Sequence, residues 1–194
     1  MKLKRSKKCY QKFINKNRAI KEFQNIDHVI TVTQVTSNNL EQNYGVIASK
    51  ISIISPAIEQ NEYSETDFDL LKEFSNNDLI LVNLGQPSLT KETELIPQIA
   101  NAFIITSREE SFSLLGVQAA MLKKPIINFK NAIGLSEILT EQVTFTANYL
   151  DTCDFADKIL ELYNFPEILH QKTSLSKQIY AEKLEPSICN KNII

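Results

Sequence analysis

Tryptophan is absent from the 194 residues, and glycine appears only four times. Scarce glycine excludes the Gly-rich phosphate cradles: neither a P-loop nor the Gly-x-Gly-x-x-Gly dinucleotide fingerprint can be written from this chain. The three cysteines, Cys9, Cys153 and Cys189, are scattered, odd in number and without metal-ligand spacing. That excludes a zinc cluster or disulfide framework and fits a reducing cytosol. The two histidines, His28 and His170, lie far apart with no partner motif, and no Ser-His-Asp pattern is present. No apolar run approaches the roughly 20 residues of a membrane span. The basic start is not followed by an apolar h-region, so no signal peptide is expected.

What is present is an ordinary globular composition, 43% apolar and 23% charged, enough for one domain or one domain plus a fragment. The charge is uneven. Residues 1–21 hold nine Lys or Arg and no acid, so with a total of −2 the remainder carries −2 − 9 = −11. A basic leader of this kind is either a solvated helix face or a weak contact for an anionic membrane surface. Tyr10 and Phe13 are its only aromatics, too few for a nucleic-acid stacking surface.

Apolar β-branched runs alternate with amphipathic stretches along the chain. Strands are expected at 28–32, 50–54, 78–84, 102–105, 126–129 and 143–146. Helices are expected within 8–25, then at 36–40 (stopped by Gly45), 67–74, 91–101, in the stretch after Ser107, at 135–140, and in two C-terminal pieces separated by Pro166. Strands alternating with helices imply an α/β fold, a Rossmann-like parallel sheet flanked by helices. Residues 57–65 are polar and loop-like, which suggests a leader and first region over 1–63 and a main domain over 64–194.

The informative stretch is 106–125. It follows the strand 102–105, turns polar through Ser107, Arg108, Glu109, Glu110, Ser111 and Ser113, and resumes as a helix before the strand 126–129. Ligands of open α/β sheets bind where a strand's carboxyl end meets a helix start. Read without any family, Ser107-x-x-Glu110 also fits a capping box.

These residues resemble the donor-site motif of the retaining GT-B glycosyltransferases, Ser-x-x-Glu-Gly-Phe-Gly-Leu followed by Glu-Ala-Met and Gly-x-Pro-Val-Ile. The match runs through Ser107, Glu110, Phe112 and Leu114 to Gln118-Ala-Ala-Met121 and Pro125-Ile-Ile127. Ile133-Gly-Leu-Ser-Glu-Ile138 is similar to the family's Gly-Gly-x-x-Glu-Ile, and Gly85-Gln86 with Lys91 has the spacing of its Gly-Arg-x-x-x-x-Lys. Segments 27–33 and 50–59 look like the last strands of the family's acceptor domain. The resemblance implies a reduced GT-B donor domain with a remnant of the acceptor domain, in a bacterial, cytoplasmic protein, peripheral at most to the inner face of the membrane. It implies a nucleotide-diphosphate sugar as donor substrate, no cofactor and no metal. Glu110 would be the catalytic-site carboxylate that meets sugar hydroxyls. Lys91, Gln86, Ser111, Phe112, Ser113, Leu114 and Gln118 would line the substrate.

The sequence departs from the motif at several of these points. Gln86 stands where the family has Arg, and Gln118 where it has the Glu that accepts the ribose hydroxyls. Losing charge-assisted contacts at both is worth on the order of a few kcal/mol of donor binding. Ser111 and Ser113 replace two glycines. About two βα units that the family places before Phe103 are missing, as is most of the acceptor domain, so a second chain would supply the acceptor wall. Two functions remain open: nucleotide-sugar-dependent hexosyl transfer with retention, or a non-catalytic GT-B-like accessory subunit of a glycosyltransferase. For single residues the plainer roles also stand: Lys91 and Glu137 as surface charges, and Gln118, Ala119 and Met121 as helix packing.

Overall fold

The computed structural model describes residues 16–58, 78–83 and 99–189. The expected helix 67–74, most of 91–101, and the residues Gln86 and Lys91 lie outside these. Two compact units are formed, 1–54 and 55–194.

In the first unit, residues 16–24 are helical (α1). A two-stranded parallel sheet pairs β1 (Val29–Thr31) with β2 (Ile51–Ile53). Between them runs α2 (Gln34–Tyr44). It starts earlier than the expected Thr36, because Thr33 is the cap: its hydroxyl accepts from the Thr36 N–H, placing Thr36 inside the first turn. The expected stop is present, with Gly45 at φ 69° donating back to Glu41 and Leu40 carbonyls. His28 Nε2 lies 2.8 Å from Ser52 Oγ, joining the two strands.

The second unit is built on a parallel sheet of β3 (Leu81–Val82), β4 (Ala102–Ile105), β5 (Ile126–Phe129) and β6 (Phe145–Ala147), in sequence order. Helix α3 (Leu114–Met121) crosses from β4 to β5; α4 (Thr152–Asn164), α5 (Pro166–Lys183) and the short α6 (Pro186–Cys189) close the chain. Pro166 opens α5 at its first position, where a missing N–H costs nothing. The expected helix at 135–140 is a single 3-10 turn, Gly134–Glu137.

The layers follow from the strand register. Ile105 pairs with Asn128 and therefore shares its face; that face meets α3, since Ile105 lies beside Gly116. Phe129, on the opposite face, packs on Phe155 of α4, ring centres 4.8 Å apart. Every residue of β5 is buried, as a strand covered on both faces requires. Phe103, Ile126, Ile127, Val117, Leu135, Leu139, Val143 and Phe145 fill the core. Helix α5 packs along α3, and two of its lysines tie down carbonyls at the amino ends of the strands. Lys177 Nζ donates to Met121 O at 2.8 Å. Lys172 Nζ donates to Glu141 O at 2.7 Å and Thr144 O at 3.0 Å.

Candidate functional site

The carboxyl ends of β3, β4, β5 and β6 carry the loops of interest. Strand order does not reverse within the described sheet, so the place is defined by strand ends and a helix start rather than by a switch point. Asn83, just past β3, donates from Nδ2 to Thr106 Oγ1 at 3.0 Å, joining the ends of β3 and β4.

The loop 106–113 is held along its length. Ser107 Oγ donates to Glu110 Oε2 at 3.1 Å. The Glu110 N–H donates to Ala132 O and its carbonyl accepts from Gly134 N–H, both at 2.9 Å; this is a parallel bridge to Ile133. The Leu135 N–H then donates to Phe112 O at 3.0 Å. Segments 110–112 and 132–135 thus prolong the β4–β5 pairing past the strands. The Arg108 carbonyl accepts from the Tyr149 hydroxyl at 3.1 Å, bringing in the loop after β6.

Ser107-x-x-Glu110 is not a capping box. The helix begins at Leu114 and its cap is Ser113, whose Oγ accepts from Gly116 N–H. Glu110 sits four residues before the first helical residue, so its carboxylate is engaged with a loop hydroxyl and lies outside the helix's first turn.

Ser113 is 3% exposed and adopts φ 89°, ψ 90°. This left-handed region disfavours a side chain with a Cβ, at roughly 1–3 kcal/mol per such residue. The chain therefore keeps a glycine-like backbone shape at a serine. Immediately after, Gly116 is closed in: a Cβ there would lie 2.4 Å from Leu135 Cδ2. The 134–137 turn and the first turn of α3 therefore touch without room for a methyl group.

The remaining expected residues fall as follows. Ser111 is exposed, Leu114 is 52% exposed at the start of α3, and Gln118 is half-buried one turn on. Phe112 is buried, so it offers the site its backbone rather than its ring. Glu137 is exposed in the 3-10 turn. The sequence placed Arg108 in the polar turn and Thr106 at its start without giving either a role, and passed over Asn83 and Tyr149. Only Arg108 and Thr106 were within the motif stretch, and the brace from Tyr149 spans 41 residues.

A cavity of about 130 Å³ lies at the opposite, amino end of β6, lined by Thr144, Phe145, Thr146, Lys158, Glu161 and Lys172. It is too small for a drug-sized ligand, whose pockets begin near ~300 Å³, and its charges are met internally. Lys158 pairs with Glu161 at 2.9 Å, and Lys172, besides its two carbonyls, sits 5.3 Å from the Phe145 ring centre. Burial pushes the Lys172 ammonium below its ordinary pKa, whereas the Glu161 hydrogen bond raises that of Lys158. Among the described residues no His, Cys, Asp or Glu cluster suits a metal ion, and no helix is long and apolar enough to cross a membrane.

No known family profile matches the sequence, and no curated protein matches it. Solved structures do. A glycosyltransferase from Rickettsia africae superposes with a TM-score of 0.75 at 15% identity, over 91% of this chain and 65% of that one. Anabaena HepE, solved in complex with UDP and glucose, gives 0.76 at 16% identity over 93% and 65%. WaaG, a glycosyltransferase involved in lipopolysaccharide biosynthesis, gives 0.70 at 8% identity over 84% and 60%.

The chain has the GT-B glycosyltransferase fold.

It spans just under two thirds of the length of these first two GT-B structures. The parallel sheet with helices on both faces, expected from the alternation of apolar runs, is the sheet of that fold.

Proposed function

We propose that this chain binds a nucleotide-diphosphate sugar at the loop 106–113 and the start of α3, and acts as a glycosyltransferase transferring a hexosyl unit with retention. The observation that carries this reading is Glu110: a carboxylate on a loop braced to the 132–135 segment, beyond the carboxyl ends of parallel strands in a GT-B fold. A neighbouring structure of the same fold holds UDP and glucose. Glu110, already accepting from Ser107, has carboxylate lone pairs left for sugar hydroxyls. The first N–H groups of α3 have no intrahelical acceptor, and a helix N-terminus favours a phosphate. Gln118 and Leu114, one turn apart on α3, would face the nucleoside; Lys91 and Gln86 would complete the phosphate contacts. Donor binding in this reading uses no metal and no cofactor. The acceptor wall would come from a second chain, and residues 1–21 would give a cytoplasmic protein a weak hold on an anionic membrane surface.

The test is calorimetric titration of the chain with UDP, GDP and their sugars. Micromolar binding that disappears in Glu110→Ala supports the reading. A well-folded chain that binds none of them removes it and leaves the accessory-subunit role.

A further inference from the structure

Resting on that donor-site reading, we propose that Arg108 is a second cationic contact for the diphosphate of the ligand, beside Lys91, with Tyr149 as the residue that positions it. The departures from the GT-B motif take a positive charge away from the site at Gln86. The structure returns one from a different direction. Arg108 lies in the braced loop, and its side chain is exposed. It makes no ion pair among the described residues, although Glu109 and Glu110 follow it directly. Around the carboxyl ends of the four strands, the other described cation is Lys130 after β5, and it is paired with Glu141 at 3.1 Å. Among the described residues, Arg108 is therefore the unpaired cation of that rim.

Its backbone is fixed from outside the loop. Tyr149, 54% exposed, spends its hydroxyl proton on the Arg108 carbonyl. The next residue, Leu150, is held at φ 59°, a conformation unusual for a bulky side chain. Leu150 lies in a turn closed by the Asp151 N–H on Asn148 O at 3.1 Å, and Asp151 caps the next helix, so the tyrosine is delivered from a turn fixed at both sides. With Ser107 on Glu110, the Ala132 and Gly134 bonds, and Tyr149 on Arg108, the loop presents a carboxylate and a guanidinium two residues apart on a rigid support.

That pairing selects a class of ligand. With Glu109 and Glu110 beside it, the loop carries net negative charge, so a bare anion gains little. A molecule combining hydroxyls with phosphate gains from both groups: hydroxyls donate to Glu110, and phosphate oxygens accept the forked N–H groups of Arg108, a geometry guanidinium suits better than ammonium.

The experiment is isothermal titration of the full chain and of Arg108→Gln, Arg108→Lys, Tyr149→Phe and Glu110→Ala with UDP and with UDP-glucose at two salt concentrations, each variant's fold checked by circular dichroism. Arg108→Gln is expected to weaken UDP about ten- to a hundredfold and to flatten the salt dependence. Arg108→Lys should recover the salt dependence with part of the affinity, and Tyr149→Phe should lose a few-fold. Glu110→Ala should weaken UDP-glucose more than UDP. If Arg108→Gln binds UDP as tightly as the unaltered chain, the inference is overturned and the donor-site reading survives. If the unaltered chain binds neither ligand, both fall.

Discussion

The two ends of the same parallel sheet are finished differently. At the amino ends, the cations of α4 and α5 are paired off: Lys172 and Lys177 of α5 occupy the carbonyls of Met121, Glu141 and Thr144, and Lys158 of α4 meets Glu161, while Lys123 and the half-buried Lys124 before β5 stand outside this pairing. At the carboxyl ends, hydrogen bonds shape the loops while charge is left open. Ser113 and Leu150 hold left-handed backbone, Gly116 is pressed against Leu135, and Arg108 has no counter-charge among the described residues. Left-handed backbone occurs at both ends, at Lys123 before β5 as well, so the difference lies in the groups held outward: the carboxyl ends present Glu110 and Arg108 on braced loops.

The largest effect that would break this contrast is at Gly116. Gly116→Val puts Cβ and two methyls into the fully buried Leu135 side chain. It should lower unfolding stability by about 3 kcal/mol, read from the urea midpoint, and should uncouple the 134–137 turn from α3. Next is the amino end: Lys172→Met strips the ammonium donor from two carbonyls and should lower stability by about 1–2 kcal/mol while leaving any ligand affinity unchanged. An affinity loss in Lys172→Met would blur the distinction between the ends.

Ser113 gives a test with opposite signs. Ser113→Gly relieves the φ 89° backbone and gives up a cap bond of 3.4 Å, a loss of only a few tenths when the replacement is glycine; it should gain about 1 kcal/mol. Ser113→Ala keeps the strain, loses the cap and should lose about 1 kcal/mol. Equal effects from the two variants would mean the backbone there is unstrained.

The smallest effect is pH-dependent. Burial lowers the pKa of Lys172 in the folded chain, so just below its ordinary value the unfolded chain binds more protons. Stability from this group then rises with pH. The stability difference between the unaltered chain and Lys172→Met should therefore widen slightly from mildly to strongly alkaline pH. Lys158, raised by Glu161, acts the other way: its contribution is present below the ordinary lysine pKa and fades as pH climbs through the raised value.

The sheet was legible where the chain spells it locally. Ala102–Ile105 is an unbroken apolar run and Ile126–Phe129 is interrupted only by Asn128; both lie between polar or proline boundaries, and the structure reproduces both. β6 begins two residues later than Val143, because Val143 and Thr144 N–H groups fold back onto Thr140 O, a turn the alternation of apolar residues does not announce. β3 is shorter than its apolar run, 78–84. Among the described residues its ladder partners are Ala102 and Phe103, and the Asn101 side chain takes the Ile80 N–H at 2.6 Å.

The site was half legible. Glu110 and the serine-for-glycine exchanges stand in the motif, yet a Ser-x-x-Glu spacing competes with the true cap, because both begin with serine and only φ separates them. The brace from Tyr149 and the freedom of Arg108 depend on residues brought together across the fold, and no local pattern encodes them.

The central claim is that ligand binds at the carboxyl ends and not the amino ends. Adding UDP-glucose to the isotopically labelled chain and following backbone amide resonances tests it most directly. The account predicts shifts at Ser107, Arg108, Glu110, Ser113, Leu114 and Tyr149, with Thr144, Phe145, Lys172 and Lys177 unmoved. Shifts concentrated on that second group, or a folded chain with no shifts at all at millimolar ligand, would contradict it.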